Sequence, residues 1–293
     1  MIQTTQLRRQ VPLMRVALYV GSFLVFLAGI QLFVLTTRTD HYFAWTIANP
    51  FTAAFLGAFY WTAIPLAFLS ARERLWANAR VGVPGVLVFL WATLLTTLLH
   101  LGKFHFSNSD HFAKGAAWLW LLIYAADPAL VSVALALQLR VKGADPPRAA
   151  PLPGWYRSLL VAQAFVTLPV GVMLFAAPAW AARWWPWALT PLTARAMASW
   201  LLGLGVVLAT ASLENDWVRI RAATAAYAVL GVLGLVALAR YGDQLSWARP
   251  AAWAFLVFVV SVLFAGSYGS RSAIAGSPQG IDSTSTPRPT LSG

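Results

Sequence analysis

The chain has 293 residues, 59% of them hydrophobic and 10% charged, and its mean hydropathy is +0.68. Soluble domains are roughly 45–50% apolar and about 25% charged, so a water-exposed globule of this length is excluded and an integral membrane protein is expected. The absence of cysteine removes disulfides, thiolate metal sites, iron–sulfur ligation and cysteine nucleophiles.

A membrane-crossing helix takes about 20 mostly apolar residues. Eight such stretches follow in chain order, at 16–35, 51–70, 81–101, 116–139, 158–177, 192–213, 222–239 and 251–267. The first follows Arg8, Arg9 and Arg15 but is longer than a signal-peptide core and lacks an A-x-A site, so it reads as a retained helix. No alternation of the kind found in outer-membrane strands competes. The fold class is therefore all-α and polytopic, with eight transmembrane helices.

The formal charge is +12. When the loops are sorted alternately, fourteen basic residues fall on one side and seven on the other, which accounts for all 21. Basic residues collect in cytoplasmic loops, so both termini are expected in the cytoplasm, with the protein in the plasma membrane. The charge is thereby a topology signal and implies no nucleic-acid partner. The expected partners are the bilayer and a small or lipid-like molecule.

The two halves resemble one another. With Trp45 placed on Trp187 and one residue deleted, Pro50 meets Pro191, Thr52 meets Thr193, Glu73 meets Glu214, Trp76 meets Trp217 and Arg80 meets Arg221. Upstream, Gly29, Leu32 and Phe33 fall on Gly171, Leu174 and Phe175. This predicts a first repeat over 1–140, a proline-rich cytoplasmic linker over 141–156, a second repeat over 157–268 and a disordered tail over 269–293. Four crossings per half make the repeats parallel. Asn49-Pro50 and Thr190-Pro191 each place a capping side chain before a proline at the first helical position, which defines matching helix starts. The Glu73, Trp76, Arg80 and Glu214, Trp217, Arg221 spacings put three side chains on one face if the helix continues, which predicts a clamp between successive spans.

Asp127 is the one carboxylate near the middle of a span. A charge there costs at least about 2.5–3.5 kcal/mol, and such residues face cavities, bundle interiors or ion paths. Pro128 offers the other reading, a kinked helix whose second half is capped by Asp127. Tyr124 lies one turn before it, and the second half carries Val262 at the corresponding place. Tyr60, Trp61, Trp91 and Thr93 lie at similar depth.

His41, His100, His105, Asp110 and His111 all fall in outward loops and together suggest a zinc or copper site, although their spacing matches no tight ligand signature. No other cofactor is indicated. Haem ligation lacks histidines at matching depth, and no phosphate loop or nucleophile elbow is present. Trp180, Trp184, Trp185 and Trp187, with Trp45 before span two, read as an aromatic belt and a surface-lying helix. Gly231 and Gly234 read as a helix-packing pair. Three functions are carried forward: a transporter or small-molecule-binding membrane protein with its site near Asp127 between the repeats, a membrane enzyme or metal-dependent factor using the outer His/Asp cluster, and a structural subunit of a larger complex.

Overall fold

A computed structural model describes residues 6–275. Among these residues are eight long helices and no strand, two isolated backbone bridges aside. They are α1 (Pro12–Gly29), continued by a π-helical stretch over Ile30–Val34, then α2 (Pro50–Arg72), α3 (Val83–Leu99), α4 (His111–Arg140), α5 (Gly154–Ala176), α6 (Pro191–Glu214), α7 (Trp217–Tyr241) and α8 (Pro250–Ala275). Seven are long and apolar enough to cross a membrane, while α3 has 17 residues. It is clipped at one end by the turn through Arg80–Gly82 and at the other by His100, whose backbone leaves the helical region.

The helix starts follow from their capping residues. Asn49 accepts from Thr52 N at 3.0 Å, and Thr190 and Thr193 form a reciprocal capping box, with a proline at the first position in both helices. Asp110 accepts from Phe112 N and Ala113 N to start α4, and Asp216 accepts from Val218 N and Arg219 N to start α7. These caps satisfy N–H groups that no turn of helix precedes. Asn215 ends α6 in the left-handed conformation, with φ 47°, which lets α7 begin two residues later.

Two sequence expectations are corrected here. Pro128 does not divide its helix, since α4 is helical from His111 to Arg140 and Asp127 caps nothing. Pro169 likewise lies inside an unbroken α5. In apolar surroundings no water competes for the backbone, so one proline is tolerated within a span. The first part of the expected tail, 269–275, is helical: Gly269 and Ala273 are buried in α8, and a Cβ at Gly269 would stand 2.3 Å from Tyr156 Oη. The rest of that tail lies outside the described residues.

Helix α2 packs against α1 and α7, and α7 against α8, while α6 packs against α5 and α3, and α3 against α4. Small residues set the closest crossings. A Cβ at Gly85 would lie 2.5 Å from Gly203 O, and one at Gly203 would lie 2.9 Å from Gly85 O, so α3 and α6 meet backbone to backbone. Gly231 faces the Leu263 backbone and Gly266 the Ala228 backbone in the same way between α7 and α8.

At one end of the bundle the segment before α1, the α2–α3 turn, the 141–153 linker and the α6–α7 turn come together. Trp76 N donates to Arg8 O, Arg8 N to Ala144 O and Trp217 N to Ala150 O. The linker is an extended strip pinned by side chains: Asp216 Oδ2 accepts from Ala149 N and Ala150 N, and Asn215 Oδ1 from Leu152 N. The remaining loops meet at the opposite end, where His105 N donates to Ala44 O and Ser246 N to Pro186 O. Helix α3 thus runs from the linker end to the opposite end.

Candidate functional site

Asp127 sits on α4 one turn beyond Tyr124, which places both on one face of the helix. That face borders a cavity of about 230 Å³ whose walls come from α1 through α7. The carboxylate is half-buried and makes no hydrogen bond or ion pair with any described residue. Tyr60 on α2 reaches across to share a hydrogen bond with Tyr124, Oη to Oη, at 2.8 Å.

Six of the aromatic rings that line the cavity form one connected wall: Phe59, Tyr60, Phe89, Trp120, Tyr124 and Trp200. Trp200 lies between Phe89, stacked at 3.8 Å between centroids, and Phe59, stacked at 5.5 Å, with Tyr60 edge-on at 4.8 Å. Rings wedged in this way have few alternative positions. Helix α7 adds Tyr227, only 4% exposed, whose hydroxyl has no protein partner and which also borders the cavity. A buried hydroxyl without a partner is uncommon and costs stability. Polar side chains that border the cavity without a hydrogen bond to another described residue therefore include the Asp127 carboxylate, the Gln31 amide and the Tyr227 hydroxyl.

A small void of about 10 Å³ lies beside the aromatic wall, and the unpartnered Trp45 Nε1, Thr93 Oγ1 and Thr96 Oγ1 belong to residues that line it. Trp120 Nε1 donates to Thr97 Oγ1 at 3.0 Å, which ties α4 to α3 there. Trp61 turns away to donate to Phe26 O, and Trp91 is exposed and reaches Ser132.

The outer histidines are not gathered into one group. His41 pairs with Asp110, which also caps α4. His105 lies between Phe43 O and Thr46 Oγ1, 3.0 Å from each. His100 Nδ1 is 3.0 Å from Thr96 O, and Arg195 donates to its Nε2 at 3.1 Å. His111 begins α4. Among the described residues no three histidines or carboxylates stand close enough together to hold a metal ion.

The Glu-Trp-Arg motifs form a different clamp from the one the spacing predicts. Helix α2 stops at Arg72 and α6 at Glu214, so neither triplet lies on one helical face. Each arginine reaches across to the other motif's glutamate. Arg80 holds Glu214 with two hydrogen bonds, at 2.5 and 3.0 Å, and Arg221 holds Glu73 at 2.8 Å. Glu214 also receives Arg219 at 2.9 Å, and Arg80 bonds Asp145 of the linker. Hydrogen bonding to Glu214 raises the Arg80 guanidinium above its already high ordinary value, so its charge is permanent.

The tryptophan belt is also partly corrected. Trp180 and Trp184 are exposed, at 48% and 70%, but Trp45 and Trp187 are each 3% exposed. Trp187 donates to Thr52 Oγ1 at 2.9 Å and packs edge-on against Phe51 and Phe255, and Trp45 packs against Phe43, Phe104 and Trp120. The expected surface helix is one turn long, Pro178–Ala181.

Sequence reading missed Tyr227 and Trp200. Both lie mid-helix in alanine- and leucine-rich runs, and a search for charge passes over groups whose chemistry is hydrogen bonding or ring polarity. No family model matches the chain, and neither a curated protein nor a solved structure matches it.

Proposed function

We propose that this chain is a multi-pass transporter of small molecules, built of two parallel four-helix repeats, with its binding site in the cavity at Asp127. The observation that carries this reading is an unpaired carboxylate facing a cavity of about 230 Å³ walled by helices of both halves. An ionisable group kept at that depth without a partner among the described residues points to a ligand, ion or proton as its partner. The repeat is supported by the packing order, because exchanging each helix for the one at the same place in the other half turns the α1–α2 pair into α5–α6, α3–α4 into α7–α8 and α2–α7 into α6–α3. Corresponding residues also meet corresponding residues: a Cβ at Gly29 would strike Trp61 and one at Gly171 would strike Leu202, while Phe59 and Trp200, equivalent in the alignment, stack on each other. Counting α3 as an eighth crossing agrees with its path from end to end.

In this reading the linker end, which carries the basic excess, faces the cytoplasm of a plasma-membrane protein together with both termini. The chain has no cysteine, so single introduced thiols report access cleanly. Ala63 lines the cavity. Ala63→Cys in sealed proteoliposomes should react with a membrane-impermeant thiol reagent applied from either face. Reaction from one face alone, or from neither, would remove alternating access and leave at most a binding protein.

A further inference from the structure

The cavity's chemistry narrows what it takes. Its surface is mostly apolar carbon, one of its walls is aromatic, and its one carboxylate pairs with no cation among the described residues. Aromatic faces carry negative charge density and attract cations above them, most strongly where water is excluded. Rings combined with a single carboxylate favour an organic cation over an inorganic one, because a metal ion or hydrated sodium needs several oxygen ligands and these walls supply carbon. An anion would meet Asp127 and the ring faces as repulsion.

The side facing the bilayer indicates how such a molecule enters. Leu27 on α1 and Leu119 on α4 line the cavity and are also 40% and 53% exposed, so the cavity reaches the outer surface between these two helices. Gly21 lies on the same margin, and a Cβ built there has no atom within 4 Å. Helices α1 and α4 share a small cluster near Met14 and Ala134, toward the linker end, and their exposed cavity-lining residues Leu27 and Leu119 lie farther along. An amphiphile whose apolar body lies in the hydrocarbon can reach the cavity through this mouth between the two helices.

We propose that the cavity binds a lipophilic organic ammonium ion, with the charged nitrogen between Asp127 and the aromatic wall and the apolar body extending toward the mouth between α1 and α4. A hydrogen-bonding group on that body would pair with the Tyr227 hydroxyl. The inference rests on the reading of the cavity as a ligand site. An apolar cavity of about 150 Å³ holds benzene, so this one, at about 230 Å³, has room for roughly ten non-hydrogen atoms.

The test uses the full chain in nanodiscs of zwitterionic lipid, with empty nanodiscs as blank and radiolabelled phenyltrimethylammonium as probe. Saturable binding of one probe per chain is expected, at least tenfold weaker for Asp127→Asn. The neutral isostere tert-butylbenzene, at the same free concentration, should fail to displace the probe; this comparison uses the parent protein and decides the question even if the Asp127 variant does not fold. Gly21→Phe adds a ring at the mouth, where a Cβ meets no atom within 4 Å, and should slow probe release several-fold. Displacement by tert-butylbenzene, or affinity within twofold in Asp127→Asn, overturns the ammonium while leaving a ligand cavity. Absence of saturable uptake of either isostere overturns both readings. Unchanged release from Gly21→Phe overturns access between α1 and α4.

Discussion

Glu214 and Glu73 occupy matching positions in the two halves but sit in different surroundings. Glu214 is 7% exposed and holds two arginines, whereas Glu73 meets Arg221 where the arginine side chain is 43% exposed. Removing one partner from a buried ion pair strands the other charges and costs about 3–5 kcal/mol, while an exposed pair is worth about 0–1 kcal/mol. Glu214→Ala is therefore expected to destabilise the protein severalfold more than Glu73→Ala, measured by denaturant unfolding in detergent. Equal losses would mean that the two clamps are energetically alike. Asp127 could be singled out from sequence because a carboxylate deep in an apolar run is conspicuous. The partners of Glu214 could not, since spacing along one chain says nothing about which of two equivalent arginines folds across.

The helices themselves were legible because the apolar runs, the Asn49 and Thr190 caps and the prolines at first helical positions are local signals. Their ends were less so. Helices α6 and α7 extend to Glu214 and Trp217, past the hydrophobic limit, because Asn215 and Asp216 turn the chain in two residues. Crossings between helices depend on glycines whose role is invisible until a partner is known. Gly266 and Gly21 make the contrast: a Cβ at Gly266 would stand 2.1 Å from Ala228 N, and one at Gly21 meets nothing within 4 Å. Gly266→Leu should push α8 from α7 and cost about 3 kcal/mol or more, as overpacking against backbone does. Gly21→Ala should be neutral or stabilise by about 0.5–1 kcal/mol through helix propensity alone. Thermal unfolding of the two variants in the same lipid checks both signs, and a tolerated Gly266→Leu would show that this crossing is looser than described.

For the whole molecule, the alternation of loops between two ends makes topology testable independently of transport. Ala150 lies in the linker, while Ser109 lies in the α3–α4 loop at the opposite end. Single cysteines at these two positions should be labelled by an impermeant reagent from opposite sides of the membrane, with Ala150→Cys reached only from the cytoplasm. Labelling of both from one side would mean that α4 does not cross. The basic-residue asymmetry that suggests this orientation was readable from sequence. The cavity was not, because its walls are drawn from seven helices and no single segment carries its pattern.

The exchange of charges between the two motifs also imposes an order on assembly. Arg80 precedes its partner Glu214 by 134 residues, and Glu73 precedes Arg221 by 148. At ribosomal rates of about 5–20 residues per second, both wait roughly 7–30 s for the chain that neutralises them to be made. During that interval the first four helices present an arginine and a glutamate that cannot yet be clamped across. The clamp at the linker end consequently closes only once both halves have been made, and the newborn first half depends on water, lipid headgroups or a chaperone to keep those charges solvated until the second half arrives.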